Sequence, residues 1–235
     1  MNIEAILFDK DGTLADFEAT FNPVIGKVIE NLGASDHGLM EKIADVLAYD
    51  LVEGKVADHS IVIAGSGYDV AQALQPVLKI QDLNAFAFQI DELCGDFCLE
   101  TITGIPGVES VLQDLHDQQY QLAVATNDAE KNARSQMQAL SVDHLFTAII
   151  GADSGHGPKP GPGMINAFVA EHGFEPQQVL MVGDSLHDLE AGRAAGVRTC
   201  GVETGPANRS ELQPFADVVL GSVVDLPQWL GRSMQ

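Results

Sequence analysis

Asp9 and Asp11 stand two residues apart in Phe8-Asp9-Lys10-Asp11-Gly12-Thr13-Leu14, directly after a short apolar run. Like charges this close repel, and a cation or a shared proton must offset the cost. Magnesium, which favours hard oxygen ligands, meets that need; an Asp-rich turn opened by Gly12 is the plain alternative. A second segment, Val124-Ala125-Thr126-Asn127-Asp128, puts a hydroxyl beside backbone N–H groups. That makes a small anion cradle or an ordinary helix cap. In Gly157-Pro158-Lys159-Pro160-Gly161-Pro162 a lysine is flanked by prolines that stiffen the backbone on both sides. It is either an aimed point charge or part of a rigid surface loop. The fourth segment is Met181-Val182-Gly183-Asp184-Ser185-Leu186-His187-Asp188. Asp184, beside a glycine at the end of an apolar run, reads as a metal ligand. Asp188 reads as a second metal-site residue or as an acid favoured in a helix's first turn.

These segments need elements that bring them together. The run over 3–8 suits a strand buried on both faces, as in a parallel sheet. Phe17, Phe21, Val24, Ile25, Val28, Ile29 and Leu32 recur at helical spacing and Gly33 supplies a stop, with Pro23 kinking or restarting the helix on an Asn22 cap. Further helices are expected over 39–51, 69–78 and 85–99, with no alternating strand among them. After Gly104-Ile105-Pro106-Gly107 the pattern alternates. Helices over 108–118, 129–140, 163–172 and 189–195 interleave with strands over 121–125, 146–150, 179–182 and 198–202. A last strand over 217–220 precedes a C-terminal helix. This predicts a doubly wound, Rossmann-like α/β core with a parallel sheet, ligands bound at the carboxyl ends of its strands, and a helical insertion after the first strand. The expected domains are a core of residues 1–15 plus 103–235 and an inserted helical cap over 16–102.

Composition narrows the partners. The 235 residues include 34 acidic and 12 basic ones, a net charge of -22. That balance argues against nucleic acid or an anionic membrane surface. An acidic chain that handles an anion must gather positive charge locally, from a metal or a few placed cations. Cys94, Cys98 and Cys200 are an odd set and read as packing thiols, not as a disulfide framework. No basic-then-apolar leader and no run of membrane-spanning length stand in the sequence, so the expected location is the cytoplasm. The expected oligomeric state is monomer or homodimer.

The order Asp-x-Asp-Gly-Thr, Thr-Asn, Lys-Pro and Gly-Asp-Ser-x-x-Asp, each after its own strand, resembles the haloacid dehalogenase superfamily over the whole chain. Phe-Asp-Lys-Asp-Gly-Thr-Leu and the Gly-Pro-Lys-Pro-Gly-Pro loop are similar to its phosphoglycolate phosphatase-like branch. The resemblance implies a magnesium-dependent phosphatase acting on a small phosphorylated metabolite, 2-phosphoglycolate being one candidate. It implies Asp9 as the nucleophile that forms an aspartyl phosphate and Asp11 as the general acid and base. It also implies Thr126, Asn127 and Lys159 as phosphoryl-binding groups. The metal would be held by Asp9, Asp184 and the Asp11 carbonyl, with Asp188 steadying that site. The helical insertion is similar to a four-helix cap that sets substrate choice, and the segment Ala64-Gly65-Ser66-Gly67-Tyr68-Asp69 is a candidate for substrate contact through Gly65 and Ser66. His156 and His187 are further candidates, with solvated loop residues as the plain reading. Two other functions stay open: a phosphotransferase of the β-phosphoglucomutase kind, which a cationic cap residue among Lys27, Lys42, Lys55 and Lys79 would favour, and a silent binding module.

Overall fold

A computed structural model describes residues 3–57, 59–63 and 65–233. The chain divides into two compact units. One takes in residues up to Asp16 together with everything from Gly104 onward, and the other is Phe17–Thr103.

In chain order, the first unit opens with strand β1 (Ala5–Phe8). The second unit follows with α1 (Phe17–Gly33), α2 (His37–Leu47), the two-residue strands β2 (Tyr49–Asp50) and β3 (Lys55–Val56), α3 (Gly67–Leu78) and α4 (Leu83–Thr101). The first unit then resumes with α5 (Val108–Asp117), β4 (Gln121–Ala125), α6 (Glu130–Ala139), β5 (Phe146–Ile150), α7 (Gly163–His172) and β6 (Val179–Gly183). It closes with α8 (Leu186–Ala195), β7 (Arg198–Val202), the short α9 (Arg209–Leu212), β8 (Val218–Leu220) and α10 (Leu226–Ser233).

The six long-range strands form one parallel sheet in the order β5-β4-β1-β6-β7-β8. Successive side chains of a strand point to opposite faces, and here both faces are covered. Ile6, Phe8, Leu122, Val124, Leu180 and Val182 pack with residues of α5, α6 and α10. Their neighbours Ala5, Leu7, Ala123, Ala125, Val179 and Met181 pack with α7 and α8. This is the doubly wound arrangement that the uninterrupted apolar runs require. Register does the rest of the positioning. Phe8 lies beside Val124 of β4 and Val182 of β6, so the residues just past these three strand ends begin at one level of the sheet.

The Phe17–Thr103 unit has its own apolar core, built from Val24, Ile25, Val28, Ile29, Ile43, Leu47, Leu74, Ile90 and their neighbours. Three sequence expectations fail inside it. Pro23 does not interrupt the first helix: α1 runs unbroken past it, because the buried stripe Val24, Ile25, Val28 and Ile29 continues on the same face and tertiary packing outweighs the lost backbone bond. Asn22 is therefore inside α1, and its side chain accepts from the Val56 backbone N–H at 3.0 Å. The expected helix over 39–51 ends at Leu47, where Ala48 turns left-handed, and the chain goes on into the β2–β3 hairpin that periodicity had hidden. Two-residue strands are too short to show an alternation.

Candidate active site

The β1 strand end builds the site's floor. Past Phe8 the Asp9 N–H donates to the Val182 carbonyl (2.8 Å), prolonging the β1–β6 ladder by one residue. The chain then folds over itself, with the N–H groups of Leu14 and Ala15 both donating to the Lys10 carbonyl (2.8 and 2.9 Å). Gly12 allows the turn. Its φ is +81°, and a Cβ there would lie 2.3 Å from an Asp184 carboxylate oxygen. Gly205 also comes close to this carboxylate, leaving no room for a Cβ. Thr13 Oγ1 donates to Asp184 Oδ1 at 3.1 Å, and Thr204 Oγ1 donates to the Gly12 carbonyl at 2.6 Å.

Lys159 comes in from the loop between β5 and α7. Its Nζ lies 2.5 Å from both Asp9 Oδ1 and Asp188 Oδ1, and its side chain is only 3% exposed. It is buried, so the reading of a rigid surface loop residue does not apply to its side chain. Asn127 fixes its backbone: Nδ2 donates to the Lys159 carbonyl (3.0 Å) and Oδ1 accepts from the Lys159 N–H (2.8 Å). Thr126 is buried after β4, and its Oγ1 accepts from the Asp128 N–H (3.1 Å). Asp188 serves two ends at once. Its Oδ2 accepts from the Ser185 N–H and hydroxyl (3.0 and 2.7 Å), closing a capping box at the start of α8, while Oδ1 faces Lys159. The reading of Asp188 as an acid in a helix's first turn is borne out by this capping box.

One oxygen from each of Asp9, Asp184 and Asp188 lies within 4.8 Å of the others. Three buried carboxylates around one ammonium leave excess negative charge, and the titration behaviour follows. Burial, aided by Asp188 and Asp11 and opposed by Lys159, pushes the Asp9 carboxyl from 3.8 up to about 7. Burial, with Asp9 and Asp188 adding, raises Asp184 well above the carboxylate range, against its own backbone N–H and the Thr13 hydroxyl. Burial works against the Lys159 ammonium, but Asp188 and Asp9 outweigh it and hold its pKa above the ordinary lysine value. Hard, closely spaced oxygen donors that resist ionising together are the donor set a small divalent cation takes.

Sequence reasoning passed over Lys10, which is fully buried. Its Nζ is 2.6 Å from both Asp11 oxygens and from Gln136 Oε1, and 3.3 Å from Asp128 Oδ2. Burial raises the Asp11 carboxyl, against the pull of Lys10. Thr204 and Gly205 were passed over as well, although they follow the end of β7 and the strand-end rule could have found them. Asp153 accepts from the Glu130 N–H at the start of α6 at 2.8 Å. Gly65 and Ser66 belong to the Phe17–Thr103 unit. There Ser66 is the N-cap of α3, in a capping box with Asp69, whose carboxylate takes the Ser66 N–H and hydroxyl at 2.8 and 2.7 Å; Ala64 lies outside the described residues.

Residues 6–202 match the family of haloacid dehalogenase-like hydrolases. The chain belongs to that family. A phosphoglycolate phosphatase from Aliivibrio fischeri is 30% identical over 212 residues, covering 87% of this chain and 86% of that protein. One from Caulobacter vibrioides is 28% identical over 97% of this chain and 91% of its own length. Among solved structures, a predicted phosphoglycolate phosphatase from Haemophilus somnus superposes with a TM-score of 0.75 at 24% identity, over 98% of this chain and 99% of that one. CbbY from Rhodobacter sphaeroides, solved in complex with phosphate, gives 0.71 at 22% identity, over 95% and 96% of the two chains. The two structures bear on the fold alone. The expected superfamily, its phosphoglycolate phosphatase-like branch, the α/β fold and an enzyme on the phosphatase side of this family are all borne out. No helix among the described residues is long and apolar enough to cross a membrane.

Proposed function

We propose that this family member hydrolyses a small phosphate monoester, with 2-phosphoglycolate the first candidate, through a phosphoryl group carried on Asp9. The observation that carries the reading is Lys159 held at 2.5 Å from both Asp9 and Asp188, because a cation fixed beside a carboxylate nucleophile suits a transferring phosphoryl group. An Asp9 oxygen attacks phosphorus, a P–O bond forms, and the P–O bond to the leaving group breaks while Asp11 gives that oxygen a proton. Asp11 then takes a proton from the water that attacks the acyl phosphate, releasing inorganic phosphate and regenerating Asp9. Lys159, the Thr126 hydroxyl and Asn127 hold the phosphoryl oxygens as charge builds on them. Mg2+, held by Asp9, Asp184 and the Asp11 carbonyl with Asp188 in support, would offset the negative charge of the carboxylates and the substrate.

Under this reading the insertion, expected over residues 16–102, sets substrate choice through Gly65 and Ser66, and the protein works in the cytoplasm. The relatives' activity supports a hydrolase over a phosphotransferase. So do Lys27 and Lys55, which pair with Glu100 (2.5 Å) and Glu18 (2.7 Å) of their own unit.

The test is a screen of phosphorylated metabolites and p-nitrophenyl phosphate with Mg2+, followed by acid quench to trap phosphoenzyme. Phosphate release, with labelled phosphate on wild type and none on Asp9→Asn, is the expected result. Label retained by Asp9→Asn, or no release from any monoester, overturns the reading.

A further inference from the structure

Lys10 is the middle residue of the Asp-x-Asp segment in sequence, and its side chain is wholly buried in a chain that has 12 basic residues against 34 acidic ones. Burying an ammonium is costly, and an apolar residue of similar volume often serves a core as well or better. A lysine here is therefore poorly explained by packing. Its contacts are better explained by what they restrain. The ammonium donates to both oxygens of Asp11 and to Gln136 Oε1, all at 2.6 Å. Gln136 belongs to α6 and is itself buried. It also donates to Asp128 Oδ2 (3.1 Å), and Asp128 further accepts from Asn132 Nδ2 (3.2 Å) and from the Ala129 N–H (2.7 Å). One ammonium thus ties the β1 loop to the β4–α6 turn, and the group it grips with two bonds is Asp11.

We propose that Lys10 is a positioning residue for Asp11: anchored by Gln136 and Asp128, its ammonium aims the Asp11 carboxylate for proton transfer. The inference rests on the acid and base role proposed above for Asp11. In Lys10→Met the carboxylate loses two charge-assisted bonds and faces Asp128 with no cation between them, so it turns out of line. A misplacement of about 1 Å can cost about a hundredfold in rate. The first step with an alkyl phosphate should slow by roughly tenfold to a hundredfold, with KM changed less than about twofold.

A double-mutant cycle tests this. Rapid-quench formation of phosphoenzyme would be followed in wild type, Lys10→Met, Asp11→Asn and the double variant, with an alkyl phosphate and with p-nitrophenyl phosphate. Rates would be normalised to active sites by burst amplitude. The expected result is a large Lys10→Met loss on the alkyl substrate, a small one on p-nitrophenyl phosphate, and almost none once Asp11 is already Asn. An equal loss in both backgrounds, or equal losses on both substrates, overturns the positioning role, because a merely structural defect would be indifferent to Asp11 and to the leaving group. If Lys10→Met does not fold, Gln136→Met removes the anchor from the far side and must show the same coupling. Wild type that forms no phosphoenzyme overturns the proposed function itself, whereas wild type that does, beside a fully active Lys10→Met, overturns only this inference.

Discussion

The two units bury different things. Among the described residues, every buried charged side chain belongs to the sheet-containing unit: Asp9, Lys10, Lys159, Asp184 and Asp188. Among the described residues of the Phe17–Thr103 unit, the buried polar ones are Thr20 and Ser60. Six of the seven large apolar residues that stand exposed among the described residues belong to it, among them Val52 at 91% and Phe88 at 67%. A domain that charges itself inside accepts a stability loss, since like carboxylates repel most where water is scarce. A domain with an apolar core and surface ion pairs is under no such strain. The contrast predicts that chemistry and electrostatic sensitivity lie in the sheet unit, and that charge changes in the insertion act weakly.

The most severe break is at Asp9. Asp9→Asn should abolish turnover, yet in divalent-free buffer it should melt higher than wild type. The Asp9 carboxyl is raised from 3.8 to about 7 in the folded protein. The native state therefore binds more protons than the unfolded one between those values, and stability present below 3.8 is lost as pH rises through about 7. The melting advantage of Asp9→Asn should accordingly grow from pH 5 to pH 8. No advantage at pH 8 would mean that the cluster is not strained. Chelation comes next. EDTA should remove activity, Mg2+ should restore both activity and melting temperature, and Ca2+ should restore stability without activity, because it accepts a looser and larger shell. Full activity after exhaustive chelation would break the comparison at its centre. Lys159→Ala should lower turnover by roughly two to three orders of magnitude, the scale of losing one preorganised electrostatic contact; an unchanged rate would return it to the role of a loop residue. The smallest effect is expected at Lys27, whose ion pair with Glu100 is exposed. Lys27→Ala should cost at most about 1 kcal/mol in urea unfolding and leave kcat within about twofold. A large loss of activity there would show that the insertion carries chemistry after all.

How far the sequence could be read follows the same division. Strands β4, β5 and β7 begin and end at the residues that the alternation of apolar runs and helices predicts. Asp9 and Asp184 were legible because each directly follows a strand, and parallel register sets those strand ends side by side; Lys159 stands in the loop after β5 and Asp188 in the first turn of α8. Lys10, Gln136 and the grip of Asn127 on Lys159 were not legible. Their partners lie 126 and 32 residues away, and no local spacing encodes a contact that only the completed sheet creates. In the insertion, helical periodicity found the helices but not their ends. Leu47 and Ala48 carry no Gly or Pro to mark the stop, and Pro23 marks a break that packing overrides.

The place of β1 in the sheet has a consequence for how the chain is made. Of the strands in its sheet it is the first to be synthesised, yet its two neighbours start at Gln121 and Val179. At about 5–20 residues per second, β1 waits roughly 10–35 s for its second partner. Until Gln121–Ala125 emerges, Ala5–Phe8, wholly apolar, has two open edges, and one stays open until β6 follows, the condition under which nascent strands find the wrong partner. Residues 17–103 emerge in the meantime, with a core that draws only on their own segment. The order of synthesis thus favours an insertion that condenses early and a central strand that is satisfied late, and the hazard during expression is concentrated in Ala5–Phe8.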